Sequence, residues 1–474
     1  MYKNKNIRIG LETHVQLNTR TKLFCSCSTQ NILKAEPNSR TCPICLGHPG
    51  SKPKVNRVAI EMGIRIALAL GCKIAPKIFF SRKTYFYPDM SKNYQITQYE
   101  IPLAKDGKLE TIDENGKRKI IKIERINLEE DPAKLQHVGG NISNADYTLI
   151  DYNRSGIPLC EIVTAPDFST PKETRMFLKR LMAILEYLRV FIPEKFSIKT
   201  DANISINGGK RVEIKNITGF LDLEKALISE IFRQRCVIER GEEIVRETRA
   251  WVPETKTTVP LRKKEFEEDY GYIFEPDLTK IEINKDWISE IKEKLPELPH
   301  QKFERYQKEF NIRSELASAI TSDLDLAQFY EKIIKEVEPK FAASWINVLI
   351  KTLHYNNITI KDTKLTKDLF VKLLKLIQSK KVTDLGGEMI LRKIIFNPEK
   401  FEILIKEYSK IEDMNKLNKL IEDVLKEEER AINDYRAGNE KVIQFLVGQV
   451  IRKSSKRIDA KIAYEMIKKK LETL

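Results

Sequence analysis

Ile7-Arg8-Ile9-Gly10-Leu11-Glu12-Thr13-His14-Val15-Gln16-Leu17 is the stretch on which the reading of the fold turns. Apolar Ile7, Ile9, Leu11, Val15 and Leu17 share one parity, while Glu12, His14 and Gln16 share the other. Alternation with a period of two is the mark of a half-buried strand. A carboxylate and an imidazole two residues apart then point to one face, about 7 Å from each other. Such a pair can hold a divalent ion with help from a neighbouring strand; a solvated strand face gives the same alternation.

Just downstream stand four cysteines, Cys25-x-Cys27 and Cys42-x-x-Cys45, separated by 14 residues that include the turn-rich Ala35-Glu36-Pro37-Asn38-Ser39. The pairs can fold back to meet as a tetrahedral thiolate cage. Four soft thiolates with no open position suit zinc in a structural role. Two disulfides, or thiols that merely pack, are the alternatives. The opening Met1-Tyr2-Lys3-Asn4-Lys5-Asn6 has no apolar stretch of the signal-peptide kind, and no apolar run is long enough to span a bilayer. The expected setting is therefore cytoplasmic with no membrane partner, where such a cluster reads as a metal site.

Further along, Ile123-Glu124-Arg125-Ile126-Asn127-Leu128-Glu129-Glu130-Asp131-Pro132 concentrates acids. Adjacent Glu129 and Glu130 point to opposite faces if the strand continues, so at most one joins Glu12 and His14. Hard oxygen ligands of this kind, together with phosphate, are what magnesium uses, and a solvated acidic turn is the other reading. Leu149 to Glu161 places Arg154, a Gly156 turn and the Glu161 carboxylate within one short stretch. A hairpin follows from Phe196 to Ile217, turning at Asn207-Gly208-Gly209-Lys210. Lys199, Asp201, Asn203 and Ser205 line one face, which is either solvated or the floor of a polar cleft. Ser81-Arg82-Lys83-Thr84-Tyr85-Phe86-Tyr87 mixes cations and aromatics, as a phosphate or nucleotide end would require or as a core strand would. There is no Walker A loop, Rossmann glycine fingerprint or G-x-S-x-G elbow. Between these segments, Thr170-Pro171-Lys172-Glu173 carries N-cap, first-turn proline and capping-box signals, with Phe177, Leu181, Leu185 and Leu188 as the buried stripe of a scaffold helix.

The chain of 474 residues carries 83 Lys and Arg against 68 Asp and Glu, a formal charge of +15. That excess suits a polyanionic partner such as nucleic acid, or else reflects lysine spread along the whole chain. Up to about residue 290 the pattern is of short strands and turns with few helices. Beyond Leu295-Pro296-Glu297-Leu298-Pro299 it is helical, with a second break near Asn397-Pro398. The expected organisation is 1–293 as a cradle with the cysteine loop 25–45 inserted, 294–405 as a helical domain and 406–474 as a helical tail.

Taken in order, several segments match a known family. Gly10-Leu-Glu-Thr-His-Val-Gln-Leu17, Phe24-Cys-Ser-Cys27, Cys42-Pro-Ile-Cys-Leu-Gly47, Arg82-Lys-Thr-Tyr-Phe-Tyr-Pro-Asp89 and Tyr94-Gln-Ile-Thr-Gln98 begin the series. Leu128-Glu-Glu-Asp131, Asp151-Tyr-Asn-Arg154, Asp201-Ala-Asn-Ile-Ser205, Glu275-Pro-Asp277 and Phe445-Leu-Val-Gly-Gln449 complete it. The chain resembles the B subunits of the glutamine-dependent aspartyl/glutamyl-tRNA amidotransferases (GatB of GatCAB). The resemblance implies an α+β fold: an antiparallel-sheet cradle similar to the glutamine synthetase/guanido kinase fold, then an all-α helical domain and a YqeY-like tail that grips tRNA.

It also implies a glutamine-dependent carbon–nitrogen ligase of protein biosynthesis. Misacylated Asp-tRNA(Asn) or Glu-tRNA(Gln) would be phosphorylated by ATP and then amidated, with ammonia supplied by a glutaminase A subunit in a heterotrimer with a C subunit. No amidase-like stretch with a nucleophile occurs in this chain, consistent with ammonia from a partner. By resemblance, Glu12, His14 and Glu130 would hold magnesium and the ATP phosphates, with Glu161 a weaker fourth. Lys83 would sit near the phosphates or the ammonia path, and Asp201 and Asn203 in the substrate cleft. Arg452, Lys453, Lys456 and Arg457 would contact the tRNA backbone, although a solvated terminal helix has the same charges. Gly271 stands where the family usually has Arg, and Lys199-Thr200 where it has Arg-Cys. A zinc-containing tRNA-binding scaffold without chemistry of its own is the alternative function.

Overall fold

The computed structural model describes residues 7–472 apart from 114, 140–144, 194–197, 264–270, 412–413, 438, 455–456 and 459. Phe196, the expected start of the hairpin, lies outside the described residues, as do Asp269 and Tyr270. Two compact units result, Met1–Leu298 and Pro299–Leu474.

The first unit opens with β1 (Ile7–Gln16), α1 (Pro43–Leu46) and α2 (Arg57–Ala69). Short strands β2 (Lys73–Ile74), β3 (Lys77–Ile78), β4 (Ser81–Thr84) and β5 (Tyr94–Thr97) follow. Then come β6 (Ala104–Ile112), β7 (Arg118–Glu130), β8 (Lys134–Val138), β9 (Tyr147–Asp151), β10 (Pro158–Thr164) and α3 (Pro171–Tyr187). The unit closes with β11 (Ile198–Ile206), β12 (Val212–Thr218), α4 (Phe220–Glu239), β13 (Glu247–Val252), β14 (Thr257–Lys263), β15 (Gly271–Phe274), β16 (Ile281–Glu282) and α5 (Lys285–Glu293).

Nine strands form one sheet in the order β14-β13-β12-β11-β1-β10-β7-β6-β2, and a second sheet has the order β15-β4-β5. The large sheet is mixed, which corrects the expected antiparallel one. β12 and β13 run parallel because α4 carries the chain back across the sheet between them; parallel neighbours need such a crossover. One face is apolar. Ile9, Leu11, Ile126, Ile162, Ala202 and Ile204 are buried there with Met62 of α2, Phe177 and Leu181 of α3, and Leu223 and Leu227 of α4. The other face carries the polar residues.

α3 begins as its sequence implies, with Thr170 Oγ1 accepting from Glu173 N at 3.3 Å. The reciprocal bond is displaced by one residue, since the Glu173 carboxylate accepts from Ser169 N and from Lys119 Nζ, each at 2.8 Å. The hairpin turns at Asn207 and Gly208, with φ of 52° and 75°, the left-handed pair that an Asn-Gly turn supplies. Between β11 and β12 the register shifts at Asp201. The extra residue in β12 returns Ile217 to the core at 1% exposure while Lys215 stays on the polar face beside Asp201.

The second unit is helical: α6 (Pro299–Phe310), α7 (Ser314–Thr321), α8 (Leu324–Ile333), α9 (Pro339–Tyr355), α10 (Lys367–Gln378), α11 (Asp384–Ile394) and α12 (Phe401–Tyr408). α13 (Met414–Glu427), α14 (Glu429–Arg436), α15 (Val442–Lys453) and α16 (Ala460–Leu471) complete it. These last four close on an apolar cluster of their own that includes Leu417, Ile421, Leu446, Val450 and Ile467. Among the described residues, no helix is long and apolar enough to cross a membrane.

Candidate active site

Strand register builds the site. Residues directly paired across strands share a face, so His14 of β1 falls in one row with Lys199 of β11, Glu161 of β10 and Asn127 of β7. The neighbouring row aligns Glu12 with Asp201. Glu129, two residues beyond Asn127, points to the same face. His14 Nε2 lies 3.5 Å from Glu12 Oε1, 3.5 Å from Glu129 Oε1 and 3.9 Å from Glu161 Oε1. Glu161 is oriented by Asn127, whose Nδ2 donates to its Oε2 at 2.6 Å. Glu129 accepts from Thr97 Oγ1 at 3.2 Å.

Three half-buried or buried carboxylates around one imidazole set the electrostatics. Burial alone pushes the His14 pKa down, but Glu129, Glu12, Glu161 and Asp201 outweigh it and raise it to about 9. Burial, then the neighbouring Glu161, holds Glu12 above the usual carboxylate range, and burial does the same to Glu129. When protonated, His14 is the counter-charge of this acidic pocket; as a metal ligand it would be the neutral imidazole. One ligand atom each from Glu12, His14 and Glu161 can be chosen so that all lie within 4.8 Å of one another. A set of carboxylate oxygens with one imidazole fits magnesium or manganese and does not fit a soft-metal site.

The cluster sits in a cleft of about 710 Å³. Glu12, Glu129 and Glu161 line it together with Lys83, Asn203 and Lys215. Lys83 reaches it from β4, where Tyr272 and Gln95 flank it on the adjoining strands, and its charge opposes the effect of burial on Glu129. Asp201 pairs with Lys215 at 3.6 Å, and burial is outweighed by Asp201, Glu213 and Glu12 in raising the Lys215 pKa. Among the described residues, Asn203 Oδ1 is buried with no hydrogen-bond partner, a polar atom left for a ligand.

Glu130, which the resemblance groups with Glu12 and His14, stands apart from them. β7 continues through both acids, so Glu130 turns to the opposite face from Glu129. There its Oε1 accepts from Lys92 Nζ at 2.5 Å and from Ile96 N at 2.8 Å. Strand parity already separates the two acids; what parity lacks is the depth of Glu130 at 2% exposure, which only the fold supplies. Asn127 and Lys215 also carry no assignment in the sequence reading, although both lie on the polar parity of their strands.

The four cysteines gather where the spacing places them. One sulfur from each of Cys25, Cys27, Cys42 and Cys45 lies within 4.8 Å of the others, and all seven cysteines of the chain are free thiols. Lys22 is wholly buried beside them, its Nζ 3.5 Å from Cys45 Sγ and 3.1 Å from Tyr152 O. The Cys25 thiol donating to it, with Lys22 nearby, pushes the Cys45 pKa down to about 4; burial pushes Cys27 up to about 11. A thiolate beside a fixed cation suits a metal cage. The Asp151-to-Arg154 segment serves this loop, since Asn153 Oδ1 accepts from Arg40 N and Asn153 Nδ2 donates to Glu36 O, both at 2.7 Å.

In the second unit, Arg452 is exposed on the last turn of α15. Lys453 pairs with Glu427 at 2.5 Å, and Arg457 Nε donates to Ser409 O at 2.8 Å. Lys456 lies outside the described residues.

The acid–imidazole cluster lies on the polar face of the sheet, in the part of the chain that matches a catalytic-domain family. Residues 7–289 match the family described as the GatB/GatE catalytic domain, and residues 328–471 match the GatB domain. The chain is 45% identical over 460 residues to the aspartyl/glutamyl-tRNA(Asn/Gln) amidotransferase B subunit of Methanospirillum hungatei, covering 95% of each. It is 44% identical to that of Saccharolobus solfataricus, covering 98% of this chain and 99% of the relative, and 40% identical to that of a Thermotoga species, covering 98% of each. The chain belongs to the GatB family, the B subunits of the aspartyl/glutamyl-tRNA(Asn/Gln) amidotransferases.

Proposed function

We propose that this chain amidates misacylated Asp-tRNA(Asn), Glu-tRNA(Gln) or both at the expense of ATP, in the cytoplasm, as the B subunit of a heterotrimer with a glutaminase A subunit and a C subunit. The observation that carries the reading is the Glu12/His14/Glu129/Glu161 cluster facing Lys83 across one cleft. A side-chain carboxylate oxygen attacks the γ-phosphorus of ATP, ADP departs, and an acyl phosphate forms. Ammonia from the A subunit attacks the carbonyl carbon, inorganic phosphate leaves with the bonding pair, and the surplus ammonium proton passes to a basic group or to phosphate. Magnesium held by Glu12, His14 and Glu161 would supply charge neutralisation between the phosphate oxygens.

The protein's own groups do the rest. Lys83 offers a cation where charge gathers on the transferring phosphoryl group. Asp201 and Asn203 hold the aminoacyl end, with Lys215 fixing Asp201. The cysteine cage holds zinc and pins the loop between β1 and α2. The test is reconstitution with A and C subunits, followed by ATP, glutamine and each misacylated tRNA in turn; no amidated product from either tRNA would overturn the assignment.

Residues 294–405 form the helical domain in this reading and 406–474 a YqeY-like tail that contacts the tRNA backbone. Arg452 and its basic neighbours supply the charge. Truncation after residue 405 is expected to weaken tRNA binding and to lower the slope of log affinity against log salt by about 1 per lost phosphate contact. An unchanged slope would remove the tail from the interface.

A further inference from the structure

The three-stranded sheet β15-β4-β5 carries Lys83 on its central strand. β4 alternates, so Lys83 enters the cleft while Arg82 points away from it. The Arg82 guanidinium is held in a fork: Nε donates to Glu275 Oε2 at 2.7 Å and Nη2 to Glu275 Oε1 at 2.8 Å. Glu275 is fully buried, and its Oε1 also accepts from Asp277 N at 3.1 Å. The same guanidinium stacks 4.5 Å from the centre of the Tyr94 ring on β5.

The other end of β5 is tied to the main sheet. Glu130, the last residue of β7, accepts from Lys92 Nζ and from Ile96 N, and its backbone carbonyl accepts from Gln95 Nε2 at 2.8 Å. Lys92 Nζ in turn lies 5.3 Å from the Tyr94 ring. An unbroken set of contacts therefore runs from Glu130 through Lys92, Tyr94 and Arg82 to Glu275. The strand that carries Lys83 is thus tied through β5 to the acid-bearing strand β7 and through Arg82 to the 275–277 turn.

Stability alone is a poor reason for this construction. Buried ion pairs gain little over well-packed apolar residues of similar volume, because desolvation offsets most of the attraction. What a two-point guanidinium–carboxylate fork adds is fixed geometry. Lys83 gains from that, because its cation rides on a flexible four-carbon stem and the backbone of β4 sets where that stem starts.

We propose that Glu275 and Glu130 are positioning residues for Lys83, Glu275 by gripping Arg82 and Glu130 by locking β5 to β7, and that Glu130 is not a metal ligand. This rests on the cleft being the amide-forming site. In the reconstituted complex, Glu275→Gln is expected to lower kcat for amide formation by about 10–100-fold, as small misplacements of a positioned group do. Added to Lys83→Met, it should cost less than about twofold further, because residues that act through one another are not additive.

Arg82→Lys, which keeps the charge and loses the fork, should reproduce the Glu275→Gln loss and carries the test should Glu275→Gln not fold. Losses that multiply in the double variant would overturn the positioning role while leaving the catalytic reading intact. A fully active Lys83→Met would remove Lys83 from the reaction and the inference with it. Manganese binding to the full chain, followed by electron paramagnetic resonance, reads the second half. Glu161→Gln should weaken it about tenfold and Glu130→Gln less than about twofold. Equal weakening by both would return Glu130 to the metal.

Discussion

His14→Ala should reduce amide formation by the reconstituted complex about 10²–10³-fold, the usual consequence of removing one preorganised group from a charged transition state. His14 touches Glu12, Glu129 and Glu161 within 3.9 Å. Its loss therefore removes a metal ligand and the imidazole that stands between those acids. The three carboxylates would then repel one another in a partly buried pocket, and cation binding would have to overcome that repulsion with one ligand fewer. Affinity for tRNA should stay within a few-fold, since the basic tail belongs to the other unit. The measurement is single-turnover amidation alongside tRNA binding by filter retention. Wild-type amide formation by the variant would leave the non-catalytic tRNA-binding scaffold as the better reading of the chain.

The second large effect concerns the cysteine cage. Cys45→Ser, or thorough chelation of the wild type, should lower the melting temperature of the first unit by roughly 10 °C. Lys22 is buried at 0% exposure against Cys45. Removing its anionic partner leaves a buried charge uncompensated, at about 3–5 kcal/mol, and each kcal/mol shifts a melting temperature by about 2–4 °C in a unit of 150–250 residues. The loop has further to fall because it is stitched to the rest of the sheet. Leu23 N donates to Gly156 O at 2.8 Å, and Asn38 N to Asp151 Oδ1 at 2.9 Å. Calorimetry of the protein before and after zinc removal, with zinc measured directly, decides it. A zinc-free protein that melts where the loaded one does would sink the structural role. At temperatures where the variant stays folded, amidation should persist, because the cage supplies no group to the cleft.

Much of the site is legible in local pattern. Period-two alternation in β1 is enough to put Glu12 and His14 side by side, and the same parity separates Glu129 from Glu130. The cysteine spacing and the Thr170-Pro171 start of α3 are equally local. Each follows from backbone geometry over a few residues, where the side-chain direction is set by the chain itself. The Asp151-to-Gly156 stretch shows the limit: its charges and glycine resemble a site, yet Asn153 and Arg154 spend hydrogen bonds on backbone at 36, 40, 132 and 133.

By itself the sequence determined which residue types share a face, where the thiols cluster and where the chain turns from strand to helix. Tertiary structure decided how deeply Glu130 is buried and that Lys92 meets it there, because that depends on what packs against its face of β7. It also decided that β13 joins parallel to β12, since that depends on where α4 sets the chain down. And it brought Arg82 to Glu275, 193 residues away. The physical reason is one of range: side-chain parity is a property of a single strand, whereas register, depth and charge pairing arise only when distant strands are buried against one another.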